Sequence, residues 1–407
     1  MIQMLKLAIR NLGRNRRRTF FSALAMGLAL ALLLFMASFI QGEMGSAIEA
    51  SIQLQSGHLQ VRAASYDEAK TSLKWEDLIE NPDQAAGQIA SMGPVEAATP
   101  RLYASGFVTA RNESAGVRVV GIDPLSEASS PYRNGLLEGE FLTPDDREGL
   151  LIGGPLANRL GLSAGDQVSL SVNTSGGDVG EQMFTVRGIY STKTNSYDSL
   201  TVFLPLAKAQ AITGAENRAS TIFVLLKDTA QTEAVVAALQ APGYEVLTWQ
   251  DLNKLLLQTE ELSTSYMAYF YLIVLAIAAT VIINTQMMSV YERTREIGIL
   301  SAIGMRGRKL LAIFLTETGL LAVGGIILGL IVGGAFIAYF TRFGFPLDIS
   351  SFGVTGILFS DKIYTQLTVK DAVQLTLMSF IITLLAGLYP AVIASRMEPV
   401  VALRAEK

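Results

Sequence analysis

Residues able to do chemistry are few in this sequence, and they gather in one place. Arg293, Thr294, Arg295 and Glu296 open a polar stretch, 291–310, in which Arg306, Arg308 and Lys309 also stand against Glu292 and Glu296. Such a set suits ion pairing and docking, not bond making. One acid, Glu317, lies inside an apolar run just beyond it. A single histidine, His58, and no cysteine leave almost nothing for a zinc site, a disulfide, a thiolate centre or a Ser-His-Asp triad. His58 is expected to be structural. The pattern G-x-x-x-x-G-K-[ST] is absent, so the chain has no P-loop. A proton relay would need a chain of buried carboxylates, and Glu317 stands by itself. No catalytic residue and no metal ligand is assigned, and the chain is expected not to be an enzyme.

These residues are positioned by four apolar segments. Residues 20–40, 266–290 and 372–394 hold no charge, and 311–340 holds only Glu317. At about 1.5 Å of rise per residue, each can cross a hydrocarbon layer of roughly 30 Å. Between the first and second lies 41–265, of ordinary soluble composition. Half of all residues are hydrophobic and 17% are charged, as expected of a chain shared between lipid and water. The apolar run near the start is longer than a secretory signal core and no small-x-small site follows, so it reads as an uncleaved anchor.

Charge sets the expected orientation. Residues 1–18 carry Lys6, Arg10, Arg14, Arg16, Arg17 and Arg18 and no acid, whereas 41–265 carries 28 acidic and 15 basic residues. Basic loops stay in the cytoplasm. Both termini and 291–310 are therefore expected inside and the large domain outside. The basic N-terminus contacts anionic lipid on this reading and binds no nucleic acid.

The expected division is an amphipathic elbow helix, 1–18, with Ile2, Leu5, Ile9 and Leu12 on one face and Lys6, Arg10 and Arg14 opposite. Then come span one (19–41), an α+β domain (42–265), span two (266–290), a loop with a short helix (291–310), span three (311–340), an outer loop (341–371), span four (372–395) and a tail (396–407). In the α+β domain, 58–62, 117–122, 167–172, 184–189 and 221–226 read as strands and 82–92, 155–160 and 232–239 as helices. Residues 45–55 and 250–264 contain no proline and read as helical continuations of spans one and two.

Finer expectations attach to particular residues. Gly325, Gly329 and Gly333 recur every four residues and mark close helix packing, within the chain or across a dimer. Glu317 falls near the inner interface and is expected to bond a neighbouring helix end or Arg308. In the loop, Ile297, Leu300 and Ile303 fall near one face of a short amphipathic helix that ends at Gly304. Its role is either a connector or a knob for a partner ATPase. The outer ends of spans one and two carry Phe35, Met36, Phe39 and Ile40, and Tyr266, Met267, Tyr269 and Phe270. These are interface anchors or the walls of a substrate cleft.

The stretch RTREIGILSAIGMRGRKLLAIFLTE closely resembles the coupling region of FtsX-like ABC transporter permeases, a superfamily that includes the MacB type and the Lol lipoprotein-releasing type. The tail YPAVIASRMEPVVALR and the start LAIRNLGRNRRRTFFSALAMGLAL resemble its two ends. SGHLQVRAASY, VVGIDP, LLIGGPLANRLGLSAGDQVSL and FTVRGIYST resemble its Lol-type and MacB-type periplasmic segments, and the GHLQV and GIDP segments lean toward the Lol type. The resemblance implies type VII architecture: an integral membrane protein with four transmembrane α-helices and a large α+β periplasmic domain inserted between helices one and two, in a bacterial inner membrane. It implies a cytoplasmic ABC ATPase dimer as partner, holding the ATP and Mg that this chain lacks, and a second permease copy or paralogue. A periplasmic carrier or adaptor is a further implied partner. Arg293, Thr294, Arg295, Glu296, Ile297, Gly298, Leu300, Ala302, Ile303 and Gly304 would couple to the ATPase. The implied function is extraction of lipoproteins or other lipid-anchored cargo from the outer leaflet by mechanotransmission. A MacB-like exporter of amphiphiles or peptides and an FtsX-like regulator of an external hydrolase are the alternatives. The large domain argues against the last.

Overall fold

The computed structural model describes residues 2–14, 16–67, 71–111, 113–240, 242–346, 358 and 360–398, and side chains from Leu7 onward. It divides into two compact units: Met1–Met44, Glu260–Phe345 and Ile363–Lys407 form one, and Gly45–Thr259 with Pro346–Lys362 the other.

The first unit is helical. An elbow helix, Ile2–Arg14, precedes four long helices: Arg16–Ser51, Lys254–Glu292, Gly307–Phe343 and Val369–Ser395. All four are long and apolar enough to cross a membrane. Each extends beyond its apolar run, because polar residues at a helix end keep the same hydrogen-bond ladder once the apolar middle has nucleated it. On the elbow helix Ala8 is buried and Ile9 is 55% exposed. The side chains of Ile2, Leu5 and Lys6 lie outside the described set, as do tail residues 399–407.

Gly325, Gly329 and Gly333 pack on the first long helix of the same chain. A Cβ on Gly325 would stand 3.1 Å from the Ala23 carbonyl, and one on Gly329 would stand 2.8 Å from the Gly27 carbonyl. Gly27 answers from the other side, its own Cβ position 2.9 Å from the Gly325 carbonyl. With lipid on the outside, backbone proximity of this kind and polar links between helices hold such helices together. The Gln286 amide donates to Thr318 Oγ1 at 3.0 Å, and Ser22 to Thr285 Oγ1 at 3.0 Å.

The second unit is α+β. Ten strands form one sheet among the described residues. Its path runs Tyr244–Thr248, Leu59–Ala63, Thr221–Leu226, Val95–Ala110, Glu113–Ile122, Thr201–Pro205, Gly149–Gly153, Val179–Tyr190 and Leu136–Gly139, with Gln167–Asn173 bridging Val95–Ala110 and Val179–Tyr190. All five expected strands occur, and the helices form over Pro82–Ala90, Gly154–Leu160 and Thr232–Leu239. The longest strand, Val95–Ala110, is absent from the sequence reading. Its inward residues Ala104, Gly106, Val108 and Ala110 are small, and Pro100 and Arg101 interrupt its apolar pattern. Gly106 is required there, since a Cβ would strike the Ser171 carbonyl of the adjacent strand. The larger core gathers Leu150, Ile152, Val168, Leu170, Phe184 and Val202. A second gathers Leu59, Val61, Ile222 and Val224 under Ala86, Ile89 and Val235 of two helices. A segment assigned from sequence to the outer loop contributes here: Asp361 N donates to the Lys193 carbonyl at 2.8 Å, and its carboxylate accepts from Asn195 N.

Both expected helical continuations form, with a difference. The first long helix runs to Ser51 and ends in a π-turn, Ile52–Ser56. Before the second, a capped turn Trp249–Leu252 is separated from Lys254–Glu292 by Asn253, so the continuation is broken once. His58 is structural: its Nδ1 accepts from Leu226 N at 3.0 Å.

Candidate coupling site

A short helix, Thr294–Ala302, follows the second long helix after a one-residue break at Arg293. Ile297 and Gly298 are buried on it. Ile297 joins Val290, Leu310, Phe314, Ala391 and Ala394 in a core that Leu300 and Met305 flank. The helix stops because Gly304 takes φ +93°, a left-handed value that glycine adopts without penalty. Met305 N then bonds back to the Leu300 carbonyl at 3.0 Å.

Ile303 departs from the expected face. It is 75% exposed. At about 100° per residue, positions 297, 300 and 303 drift by roughly 120°, and Ile303 already caps the helix end. Its neighbour across one turn, Ile299, is 48% exposed. Arg295, Glu296, Ala302 and Gly304 are exposed too, and so are Arg306, Arg308 and Lys309 beyond them. No ion pair engages Arg295, Arg306, Arg308 or Lys309 among the described residues. The outward surface is thus an isoleucine pair rimmed by free cations.

The inward surface is a polar knot. Arg293 Nη1 lies 2.9 Å from Glu317 Oε1, with the two side chains 12% and 3% exposed. The same carboxylate oxygen accepts from Asn11 Nδ2 of the elbow helix at 2.5 Å. Arg293 Nε reaches Glu296 Oε2 at 3.2 Å, and its guanidinium sits 5.6 Å from the Phe314 ring centroid. Arg14 Nη1 bonds Glu296 Oε1 at 2.8 Å and Arg18 Nη1 bonds Glu292 Oε2 at 2.7 Å. Burial draws the Glu296 carboxyl upward, but the bonds from Arg14 and Arg293 outweigh it and leave it below its ordinary value. One guanidinium therefore ties the short helix to the third long helix, Arg14 of the elbow helix ties it from outside, and Arg18 of the first long helix holds the end of the second. A planar fork can serve two carboxylates at once, which an ammonium cannot do with fixed geometry.

Of the two partners expected for Glu317, the neighbouring helix end holds: it bonds Arg293, the cap of the short helix, and Asn11 of the elbow helix, not Arg308. Nine residues separate 308 from 317, so on one helix they project from opposite sides. Arg293, grouped from sequence with the coupling residues, spends its donors inside the chain, and Ile297 and Gly298 also face inward. Asn11, Arg14 and Arg18 were missed as partners. The one available signal was Asn11, an uncharged polar residue in the mainly aliphatic and cationic elbow helix.

At the other end of these helices, Phe35 packs on Phe340 at 5.6 Å and Phe39 on Phe345 at 5.6 Å between ring centroids. These two rings are turned to the third long helix. Met36 and Ile40 are half-buried. Phe270 packs against the core that holds Leu30, Leu33, Leu34 and Leu275, and Tyr266 and Tyr269 are exposed. Met267 is half-buried.

Comparison with known proteins agrees with this layout. A family model described as MacB-like periplasmic core domain matches residues 19–241, just over half of the chain. One described as FtsX-like permease C-terminal matches 268–399, which contains the short helix and the Arg293–Glu317 pair. The lipoprotein-releasing system transmembrane protein LolC of Neisseria meningitidis is 24% identical over 83% of each chain. The macrolide export ATP-binding/permease protein MacB of Bdellovibrio bacteriovorus is 23% identical over 100% of this chain and 62% of that protein. An uncharacterized ABC transporter permease of Methanocaldococcus jannaschii is 25% identical over 66% of this chain and 65% of that one. The chain thus spans about two thirds of the length of two of these three relatives. Matched along both parts of its length, the chain belongs to the FtsX-like, MacB-like family of ABC transporter permeases.

Proposed function

We propose that this chain is the membrane subunit of a mechanotransmission machine powered by a separate cytoplasmic ATPase. The observation that carries the reading is the two-sided short helix: an exposed Ile299–Ile303 pair among unpaired cations, anchored behind by Arg293 and Glu317. An exposed apolar knob with a charged rim is what a docking surface needs. An ATPase that closes on ATP pushes this helix, and the knot passes the push to the elbow helix and the third long helix. The termini and the short helix lie in the cytoplasm on this reading, by the excess of arginine and lysine there, and the α+β unit lies in the periplasm. The chain itself has no P-loop and performs no hydrolysis. A second permease, identical or related, completes the membrane unit.

The cargo on this reading is a lipoprotein or another lipid-anchored molecule, taken from the outer leaflet and handed outward. The similarity to LolC over 83% of the chain supports it. Depleting the protein in its native cell tests it: lipoproteins should accumulate in the inner membrane. Unchanged lipoprotein sorting with raised sensitivity to amphiphilic compounds would favour the MacB-like export reading, which the 100% coverage by a MacB relative supports.

A further inference from the structure

The α+β unit contains a fully buried cation. Arg101, in the strand Val95–Ala110, is 1% exposed, and no carboxylate pairs with it among the described residues. A guanidinium removed from water needs compensation. Arg101 Nη1 donates to the Leu54 carbonyl at 2.9 Å and Nη2 to the Ala128 carbonyl at 3.3 Å. Its plane lies 3.5 Å from the Phe223 ring centroid. The hydroxyls of Tyr132 and Tyr197 donate to the same Leu54 carbonyl at 3.0 and 3.2 Å. Burial pushes the pKa of both hydroxyls up, so they remain donors.

Leu54 lies in the π-turn that ends the first long helix. The last carbonyls of a helix lack partners within it and carry the negative end of its dipole. Here those of Ser51, Ile52, Leu54 and Gln55 have donors. Gly57 N bonds the Ile52 carbonyl at 2.9 Å, Ser56 Oγ the Ser51 carbonyl at 3.2 Å, and Gln60 Nε2 the Gln55 carbonyl at 2.9 Å. Three donors converge on Leu54, and the strongest is cationic. A cation suits a helix C-terminus. Arginine suits it better than lysine, because its fork reaches two carbonyls while its face stacks on a ring. The strand that bears Arg101 pairs with Thr221–Leu226, Glu113–Ile122 and Gln167–Asn173. Arg101 therefore joins the helix end to the strand with the widest pairing in the sheet. π-turns recur at functional positions in helices.

We propose that Arg101 is a positioning residue of the transport cycle. It fastens the end of the first long helix to the strand Val95–Ala110, so that displacement of the helix enters the sheet and is not lost in the π-turn. This rests on the mechanotransmission reading. The test is hydrogen exchange on the full-length chain purified with its ATPase, with and without ATP plus vanadate, alongside ATP hydrolysis. Arg101→Met should leave hydrolysis within about twofold and abolish the nucleotide-dependent exchange difference in Val95–Ala110 and its paired strands. Its Gly57 and His58 amides should exchange roughly tenfold faster in both states. A residue needed for folding alone would raise exchange in both states and keep the nucleotide difference; that result overturns the inference. If Arg101→Met does not accumulate in membranes, Tyr132→Phe/Tyr197→Phe decides, since it removes two donors to Leu54 and no ring. A reduced nucleotide difference supports the junction, and an unchanged one overturns it. A parent complex with no nucleotide difference overturns the transport reading together with the junction, whereas a parent response that Arg101→Met preserves overturns the junction alone.

Discussion

Arg293 and Glu317 form an ion pair of 2.9 Å in which the carboxylate is buried and the guanidinium nearly so, and it joins a nine-residue helix to one of 37 residues. Pairs on a protein surface contribute little. This one is different, because without Arg293 the buried Glu317 carboxylate would be an unpaired charge, whereas Arg293 also has Glu296. Arg293→Ala should destabilise by about 3–5 kcal/mol and Glu317→Ala by less, since Arg293 keeps Glu296, both seen as an earlier thermal loss of monodisperse protein in detergent. Arg293→Met with Glu317→Leu should recover most of that loss, since it removes both charges and keeps the volume. Singles as stable as the parent would show that water screens the pair.

Helix packing gives a paired test. A side chain on Gly329 must displace the Gly27 carbonyl and the Leu30 Cβ, both under 3 Å away, whereas a Cβ on Gly334 meets nothing within 4 Å. Gly329→Leu should cost about 1–3 kcal/mol by overpacking, and Gly334→Leu should be close to neutral. The same detergent melt separates them. Equal behaviour of the two variants would contradict the packing described.

Asp198 supplies a pH dependence. Its carboxylate is buried beneath Ser191 and Thr192, and burial raises its pKa to about 6. The folded value lies above the ordinary one, so its contribution to stability is complete below the ordinary carboxylate range and is lost as pH rises through about 6. Asp198→Asn should therefore flatten the fall in melting temperature between about pH 4 and 6. A profile parallel to the parent's would refute the assignment.

His58 acts with the opposite sign. Burial lowers its pKa, partly offset by Glu96, and its Nδ1 must stay unprotonated to accept from Leu226 N. Its contribution is present above the ordinary histidine value and is lost as pH falls below it. His58→Gln should lose this acid-side slope in the same melting series. A variant that keeps the slope would mean the imidazole does not titrate there.

Much of this was legible in the sequence, and the exceptions have physical causes. Apolar runs announce helices because each position votes for the same outcome, so the four long helices were found. Alternation announced strands such as Gln167–Asn173 and Thr221–Leu226. Val95–Ala110 escaped because small inward residues and Arg101 erase its alternation. The loop helix was legible from Arg293 to Gly304, but the direction of its side chains was not. Arg293 looks outward in a basic loop until Glu317 is placed beside it, 24 positions along the chain, with Asn11 contributed from 306 positions away. Arg101 gave no sign at all, since its partner at Leu54 is a main-chain carbonyl, which every residue carries.

The account depends most on the outward isoleucines of the short helix. The direct measurement is the amount of ATPase retained by the tagged full-length chain purified from its native membrane, compared with Ile299→Glu/Ile303→Glu. These exposed side chains support no core, so the variant should insert and pair normally. The account predicts an ATPase bound to the parent and a loss of at least about tenfold in the variant, the usual weight of a central hot spot. Equal retention by both chains would contradict it.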